Sequence, residues 1–412
     1  MRQLRKSALT CFLAFASPWA MAQRTALVVT WAASPQAGGA NPAEPLDKIE
    51  GQTVRERVRV SVGGAQISVR LSNEYGSTPL LIGSVTVAAP NDFASVKPDS
   101  IRRVTFGGRT SITIPAGAPA LSDPVAFPVS PGAEISLSLY FPQPVTTPTV
   151  HLLALKRAVV SPRGDQTMAE TIEGATTLSS IALSAILVPA QPAQRLVVAF
   201  GDSLVDGDQS SVDGDRNWPN DLIRRLGKTP GGSKVAVINE GIIVNRLLGD
   251  AFGGVSGLAR FDRDALAMPG VTHVVLLEGI NDISFPGAKL GGSYLADPAD
   301  MLSAEDVIQA YRQLISRAHA RGIKLIGATM TPCEGVVIPG YYSETKDAAR
   351  EEINKWIRTS GKFDGVIDFD AVLRDPDHPS RLLPRFASQD GLHPNDLGYQ
   401  VMADAIDLNL LR

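Results

Sequence analysis

The chain has 412 residues, 44% of them hydrophobic and 20% charged, which is ordinary for a folded globular protein and long enough for two domains. A formal net charge of −3 leaves no basic footprint for nucleic acid and no polybasic membrane patch. Nucleic-acid binding and stable membrane insertion are therefore not expected.

The N-terminus carries Arg2, Arg5 and Lys6, then an apolar stretch from Ala8 to Ala20, then Ala20-Met21-Ala22, a small-x-small cleavage pattern. Residues 1–22 read as a secretory signal, because the apolar run is shorter than the ~20 residues a spanning helix needs. Cleavage would remove Cys11 and leave Cys333 alone, so the mature exported protein is expected to have no internal disulfide.

Residues 23–187 are rich in β-branched residues, glycine and proline. Val54 to Val62 alternates, Gly63-Gly64 follows, and Ile67 to Leu71 alternates again, which predicts a hairpin. Further strands are expected at Leu80 to Ala88, Thr110 to Ile114, Glu134 to Tyr140 and Val150 to Leu155, with turns at Gly107-Gly108 and Pro131-Gly132. No long helical period interrupts them, so a β-sandwich or jelly-roll-like domain is the natural arrangement.

Residues 188–194, with Pro189 and Pro192, read as a linker. From 195 to 412 strands alternate with helices. Strands are expected at Leu196 to Phe200, Lys234 to Asn239, Thr272 to Leu277, Lys324 to Ala328 and Gly365 to Phe369. Helices are expected from about Trp218 to Leu226, Gly257 to Ala267, Ser303 to Ala320, Ser343 to Thr359 and Asp396 to Leu408. Ser303 is the expected N-cap of its helix, with Glu305 and Asp306 in the first turn, where anions complement the dipole. This α/β pattern implies a doubly wound five-stranded parallel sheet, whose ligand crevice lies at the strand carboxyl ends.

Polar clusters fall at those ends. The apolar run Leu196 to Phe200 stops at Gly201-Asp202-Ser203, placing a serine hydroxyl where the backbone must turn. Asn239 to Arg246 follows the second strand and Glu278-Gly-Ile-Asn281-Asp282 the third. Asp390-Gly-Leu-His393-Pro394 lies near the C-terminus. Asp390 stands three residues before His393, a spacing that lets its carboxylate accept from Nδ1-H and leaves Nε2 free to take a hydroxyl proton. A serine needs such a base, and an acyl transfer needs an oxyanion hole. The Asn281 side-chain amide, the Ser203 N-H and an N-H after the second strand are the candidate donors.

These blocks, in this order, resemble those of the GDSL/SGNH hydrolase superfamily, and together they span the whole second domain. The resemblance implies a flavodoxin-like three-layer α/β/α domain, ester hydrolysis without metal or other cofactor, Ser203 as nucleophile, His393 as base, Asp390 as its orienter, and Asn281 in the oxyanion hole. Thr30-Trp31-Ala-Ala-Ser34-Pro-Gln36 and the export signal resemble bacterial secreted members with an N-terminal β domain. Val244 stands where the family places a glycine whose N-H joins the hole. If that glycine adopts positive φ, valine is strained there, and lower activity or altered selectivity is expected. The implied substrate is a short-chain acyl ester, with an O-acetylated polysaccharide as one candidate. A lysophospholipase or thioesterase is the alternative in the same superfamily, and a carbohydrate-binding protein with an impaired catalytic domain is the alternative outside it.

Other constellations have plainer readings. Asp206, Asp208, Asp213 and Asp215 lack the glycine and terminal acid of a calcium loop and are expected to be solvated. His273 and His319 are expected to be structural, and Asp377-His378 superficial. Cys333, after the fourth strand, could line the crevice but has no neighbouring histidine to activate it.

Overall fold

The computed structural model describes residues 26–38 and 49–411; the expected signal at 1–22, with Cys11, lies outside the described residues. Up to Pro189 the described chain forms antiparallel sheets. The largest has six strands, in the order Ala175–Thr177, Ala158–Arg163, Gln52–Arg59, Glu134–Phe141, Ser84–Ala88 and Arg102–Arg103. A four-stranded sheet runs Leu27–Ala32, Leu183–Pro189, Ser68–Ser72 and Pro119–Leu121. Val54, Val58, Leu137 and Leu139 of the first and Val69, Leu71, Ile186 and Val188 of the second are buried in one core, the two-layer arrangement of a β-sandwich.

The expected hairpin does not form. Gln52–Arg59 and Ser68–Ser72 lie in different sheets, while Gly64 bridges to Val129 and Ile67 to Val125. The alternation continues through the connection at Val60, Val62 and Ile67, all buried, so the chain crosses between layers instead of turning out to solvent. The two glycines serve close approach: a Cβ on Gly63 would lie 2.5 Å from the Val129 carbonyl oxygen, and one on Gly64 2.9 Å from Val188 Cβ. Gly107-Gly108, with φ of +59° and +78°, does make the turn expected there.

The strand Leu183–Pro189 continues past the expected start of the linker at 188, with Val188 buried and Pro189 paired with Leu27. Only residues 190–194 separate it from the next strand.

That strand is β1 (Arg195–Gly201) of a parallel sheet completed by β2 (Val235–Gly241), β3 (Val271–Leu277), β4 (Lys324–Ala328) and β5 (Gly365–Ile367), in the order β2-β1-β3-β4-β5. The long helices are α2 (Trp218–Gly227), α5 (Ala304–His319), α6 (Glu344–Thr359) and α8 (Asp396–Ala405), with α1 (Ser203–Asp206), α3 (Gly257–Phe261), α4 (Ile280–Ser284) and α7 (Phe369–Leu373) as short turns. The step from β1 to β2 through α2 runs one way along the sheet and the step from β3 to β4 through α5 the other. Right-handed crossovers therefore place α2 and α5 on opposite faces. α2 packs with α8, and α5 with α6, giving three layers. The reversal of direction opens the crevice between the carboxyl ends of β1 and β3. Ser303 caps α5 in a capping box with Asp306.

The two domains are packed together. The edge strand β2 lies beside Leu27–Ala32, and its Val237 N-H donates to Ser61 Oγ at 2.8 Å. An exposed strand edge is thereby covered.

Candidate active site

Gly201 ends β1 where nothing larger fits, since a Cβ there would stand 1.9 Å from the Leu277 carbonyl oxygen of β3. The next residue, Asp202, caps α1: its Oδ1 accepts from Leu204 N at 3.0 Å. Ser203 is consequently the first residue of α1, its N-H among the first-turn amides that have no acceptor within the helix. Burial pushes the Asp202 carboxyl up to about 7, against the Leu204 hydrogen bond and the nearby His393.

His393 arrives from the loop before α8. Its Nε2 lies 2.7 Å from Ser203 Oγ and its Nδ1 2.6 Å from Asp390 Oδ2. Asp390 Oδ1 accepts from Ser388 Oγ, Leu392 N and His393 N at 2.7, 2.8 and 2.9 Å. Partial burial opposes ionisation of Asp390, but the hydrogen bonds and charge of His393, with Ser388, hold its carboxyl well below the usual range. With Nδ1-H committed to that carboxylate, Nε2 is the nitrogen that faces the serine hydroxyl. Burial lowers the His393 imidazole, yet the Asp390 hydrogen bond and the charges of Asp208, Asp390 and Asp202 raise it further, so it ends above its ordinary value. Asp208 Oδ2 is 3.8 Å from His393 Nε2, a neighbour that no sequence spacing indicated.

The loop after β2 carries Val244 at φ +54°, the left-handed region costing a β-branched residue about 1–2 kcal/mol. Its neighbours are fixed on both sides. Asp206 Oδ2 accepts from Ile243 N at 3.1 Å, and Asn245 Nδ2 donates to the Val255 carbonyl at 2.9 Å. Asp282 of α4 accepts from Leu247 N and Leu248 N at 2.6 and 2.8 Å. Asn281, also on α4, donates through Nδ2 to the Asn245 carbonyl at 2.7 Å and accepts at Oδ1 from Tyr341 OH at 2.7 Å. These partners fix the amide orientation and leave the second Nδ2 hydrogen for another acceptor.

Arg260, fully buried, joins these pieces. It donates to Asn245 Oδ1 at 2.8 Å, to the carbonyl of Glu240 at 2.8 Å and to the carbonyl of Gly201 at 2.7 Å, and its guanidinium lies over the Phe200 ring. No motif marks it in the sequence. Its partners Asn245, Glu240 and Gly201 lie 15, 20 and 59 positions away, so no local spacing signals it.

The acidic stretch from Asp206 to Asp215, expected to be solvated, is a correction. Asp206 is buried with Oδ1 3.0 Å from His151 Nε2, Asp213 pairs with Arg57 and Arg157, and Asp215 with Arg59 and Lys156. The cations come from the β domain, which a reading of the loop alone could not supply. Cys333 is buried rather than lining a crevice, and burial pushes its thiol up to about 12. His273 is buried beside Thr272, His319 Nε2 lies 2.8 Å from Asp364, and His378 is exposed.

The sequence model of the GDSL-like Lipase/Acylhydrolase family matches residues 199–401. Residues 199–401 are a domain of this GDSL/SGNH family. Solved structures similar to the GDSL/SGNH domain include a GDSL-like lipase from Bacteroides thetaiotaomicron (19% identity, 54% of this chain and 90% of that chain, TM-score 0.38). Others are a member of the lipolytic protein G-D-S-L family from Veillonella parvula (20%, 51% and 95%, 0.36) and a catalytic mutant of an acetylxylan esterase from Geobacillus stearothermophilus (18%, 53% and 94%, 0.39). No curated protein matches the chain in sequence. In the GDSL/SGNH domain, Ser203 follows β1, Val244 follows β2 and Asn281 follows β3, so all three border the crevice at the reversal of strand order.

Proposed function

We propose that the protein is an exported serine esterase that cleaves short-chain acyl esters, with O-acetylated carbohydrate as one candidate substrate. The observation that carries the reading is the hydrogen-bonded series Ser203 Oγ, His393 Nε2, His393 Nδ1, Asp390 Oδ2, at 2.7 and 2.6 Å. A hydroxyl facing an imidazole whose other nitrogen is held by a carboxylate is poised for nucleophilic acyl transfer. Export rests on residues 1–22 of the sequence. The short acyl group is supported by a serine and histidine that are only 6% and 7% exposed, which favours a small acyl group beside the reacting carbon.

In the reaction, Ser203 Oγ attacks the ester carbonyl while His393 Nε2 takes its proton. The tetrahedral oxyanion is held by the N-H of Ser203, the N-H of Val244 and the free Nδ2 hydrogen of Asn281. Collapse breaks the bond to the alkoxy group, which leaves as the alcohol with the proton from His393. Water then attacks the acyl-enzyme, giving its proton to the same histidine, and the carboxylic acid departs as Ser203 recovers its hydrogen.

Labelling with a fluorophosphonate, followed by peptide mapping, tests the nucleophile: the wild type labels at Ser203, and Ser203→Ala and His393→Ala do not. Labelling at another residue, or none, overturns the reading. Hydrolysis rates for p-nitrophenyl esters are expected to fall with acyl length. A preference for long chains favours the lysophospholipase alternative.

A further inference from the structure

We propose that Ser34, Gln36 and His151 of the N-terminal domain are positioning residues that hold the Ile243–Asn245 loop in its strained, catalytically competent conformation. This rests on the esterase reading above and adds a role for the β domain. Three contacts converge on the loop. His151 Nε2 meets Asp206 Oδ1 at 3.0 Å, and the other oxygen of Asp206 accepts from Ile243 N at 3.1 Å, so the β domain grips the residue before Val244 through one carboxylate. Gln36 Nε2 donates to the Gly253 carbonyl at 2.6 Å, and Gly253 lies directly on the loop. A Cβ at that position would be 2.2 Å from the Ile243 carbonyl oxygen and 2.8 Å from Val244 Cγ2. Ser34 Oγ donates to Glu240 Oε2 at 2.5 Å and receives from Arg260 Nη1 at 3.2 Å, and Arg260 in turn holds Asn245 Oδ1.

The three grips are braced against each other. His151 Nδ1 faces the Ser34 carbonyl at 3.1 Å, and Gln36 Oε1 accepts from Leu152 N at 2.9 Å, the residue after His151. Both ring nitrogens of His151 therefore face acceptors, an arrangement satisfied in full only by the imidazolium, which then pairs with Asp206. The acidic neighbour and both hydrogen bonds outweigh burial and raise the imidazole above its ordinary value. A valine at φ +54° persists only where its surroundings over-determine it, and here His151 and Gln36 of the other domain brace those surroundings.

The experiment uses the full chain. Steady-state hydrolysis of p-nitrophenyl acetate is measured for the wild type, His151→Ala, His151→Gln, Gln36→Ala and Arg59→Gln, each also combined with Val244→Gly. Arg59→Gln is the control: it breaks an interdomain pair with Asp215 that touches neither Asp206 nor the loop. His151→Ala and Gln36→Ala are expected to lower kcat by roughly 10²-fold, the loss of one oxyanion donor, with KM changed less than about threefold. His151→Gln, which can still donate to Asp206, retains part of the rate. Val244→Gly restores kcat in both alanine variants, because glycine holds positive φ without the grip. A general loss of stability would not be rescued in this way. Equal kcat losses in Arg59→Gln and His151→Ala, or no rescue by glycine, overturn the proposal. Amide hydrogen exchange supplies a readout independent of turnover: protection at residues 243–248 is expected to fall in His151→Ala, and unchanged protection there overturns the proposal as well. A wild type that neither labels at Ser203 nor turns over would remove the esterase reading while the exchange result still decided this one.

Discussion

A carboxylate 3.8 Å from His393 Nε2 bears on the pH dependence of the proposed reaction. Asp208 favours the imidazolium of His393, whereas in the proposed mechanism attack by Ser203 requires the neutral ring, so each shift that raises the histidine delays activity to higher pH. The acid limb of kcat/KM is therefore expected to lie above the ordinary histidine range. Asp208→Asn removes the charge and moves that limb toward lower pH, while the plateau changes little. A limb that stays put would show that Asp390 and Asp202 set the value without Asp208. At Val244 the expected strain is present, at φ +54°, and hydrogen bonds at Ile243 and Asn245 hold the loop on either side of it. Val244→Gly in the intact protein is expected to leave kcat equal or a few-fold higher, and a loss measured with p-nitrophenyl acetate would contradict a strain account. The contact between Asp390 and His393 was legible from a spacing of three residues and the position of Ser203 from the end of an apolar run, whereas the meeting of Ser203 with His393 across 190 positions was expected only from the resemblance. Asp208 and Arg260 were not legible, since each acts across the fold with no fixed partner in sequence.

Among elements, the contact that fixes the site is the one between the ends of β1 and β3. Gly201 leaves no room for a side chain against Leu277, and this closeness brings the turn bearing Ser203 next to the turn bearing Asn281. Gly201→Ala is expected to lower stability by about 3 kcal/mol in urea unfolding, at the upper end of overpacking costs, and to reduce activity together with stability. A fully stable, active alanine variant would mean that the strands can separate without cost to the site. The parallel sheet was readable because its buried strands are short apolar runs bounded by helices. In the β domain the same alternation misled at Gly63-Gly64. A pair of glycines signals either a turn or a near approach of two backbones, and only the tertiary partners Val129 and Val188 decide between them.

Across the whole molecule, burial of carboxyl groups sets stability against activity. Glu56, inside the β domain, is pushed up to about 7 by burial despite hydrogen bonds from Ser180 and Ile181, and burial raises Asp202 to about 7, Asp282 to about 6 and Glu278 to about 8 in the catalytic domain. Each keeps its proton in the folded state at a pH where the unfolded chain has lost it. The native protein thus binds more protons than the unfolded one between about pH 4 and pH 8, and linkage makes stability fall as pH rises through that window, by about 1.4 kcal/mol per unit for each group still protonated. Such coupling was invisible in the sequence: Asp202, Glu278 and Asp282 stand in the strand-end clusters and Glu56 in an alternating strand, but their burial is set by remote neighbours. The expected result is a Tm that declines steadily from pH 5 to pH 8 while hydrolysis, waiting on a neutral His393, climbs over the same range. Glu56→Gln removes one titrating group that touches none of Ser203, His393 and Asp390, so it is expected to flatten part of the decline in Tm without moving the pH profile of kcat. A Tm that instead rises from pH 5 to pH 8 would mean that these carboxyls are ionised in the fold and that hydration or unseen cations stabilise the charged forms.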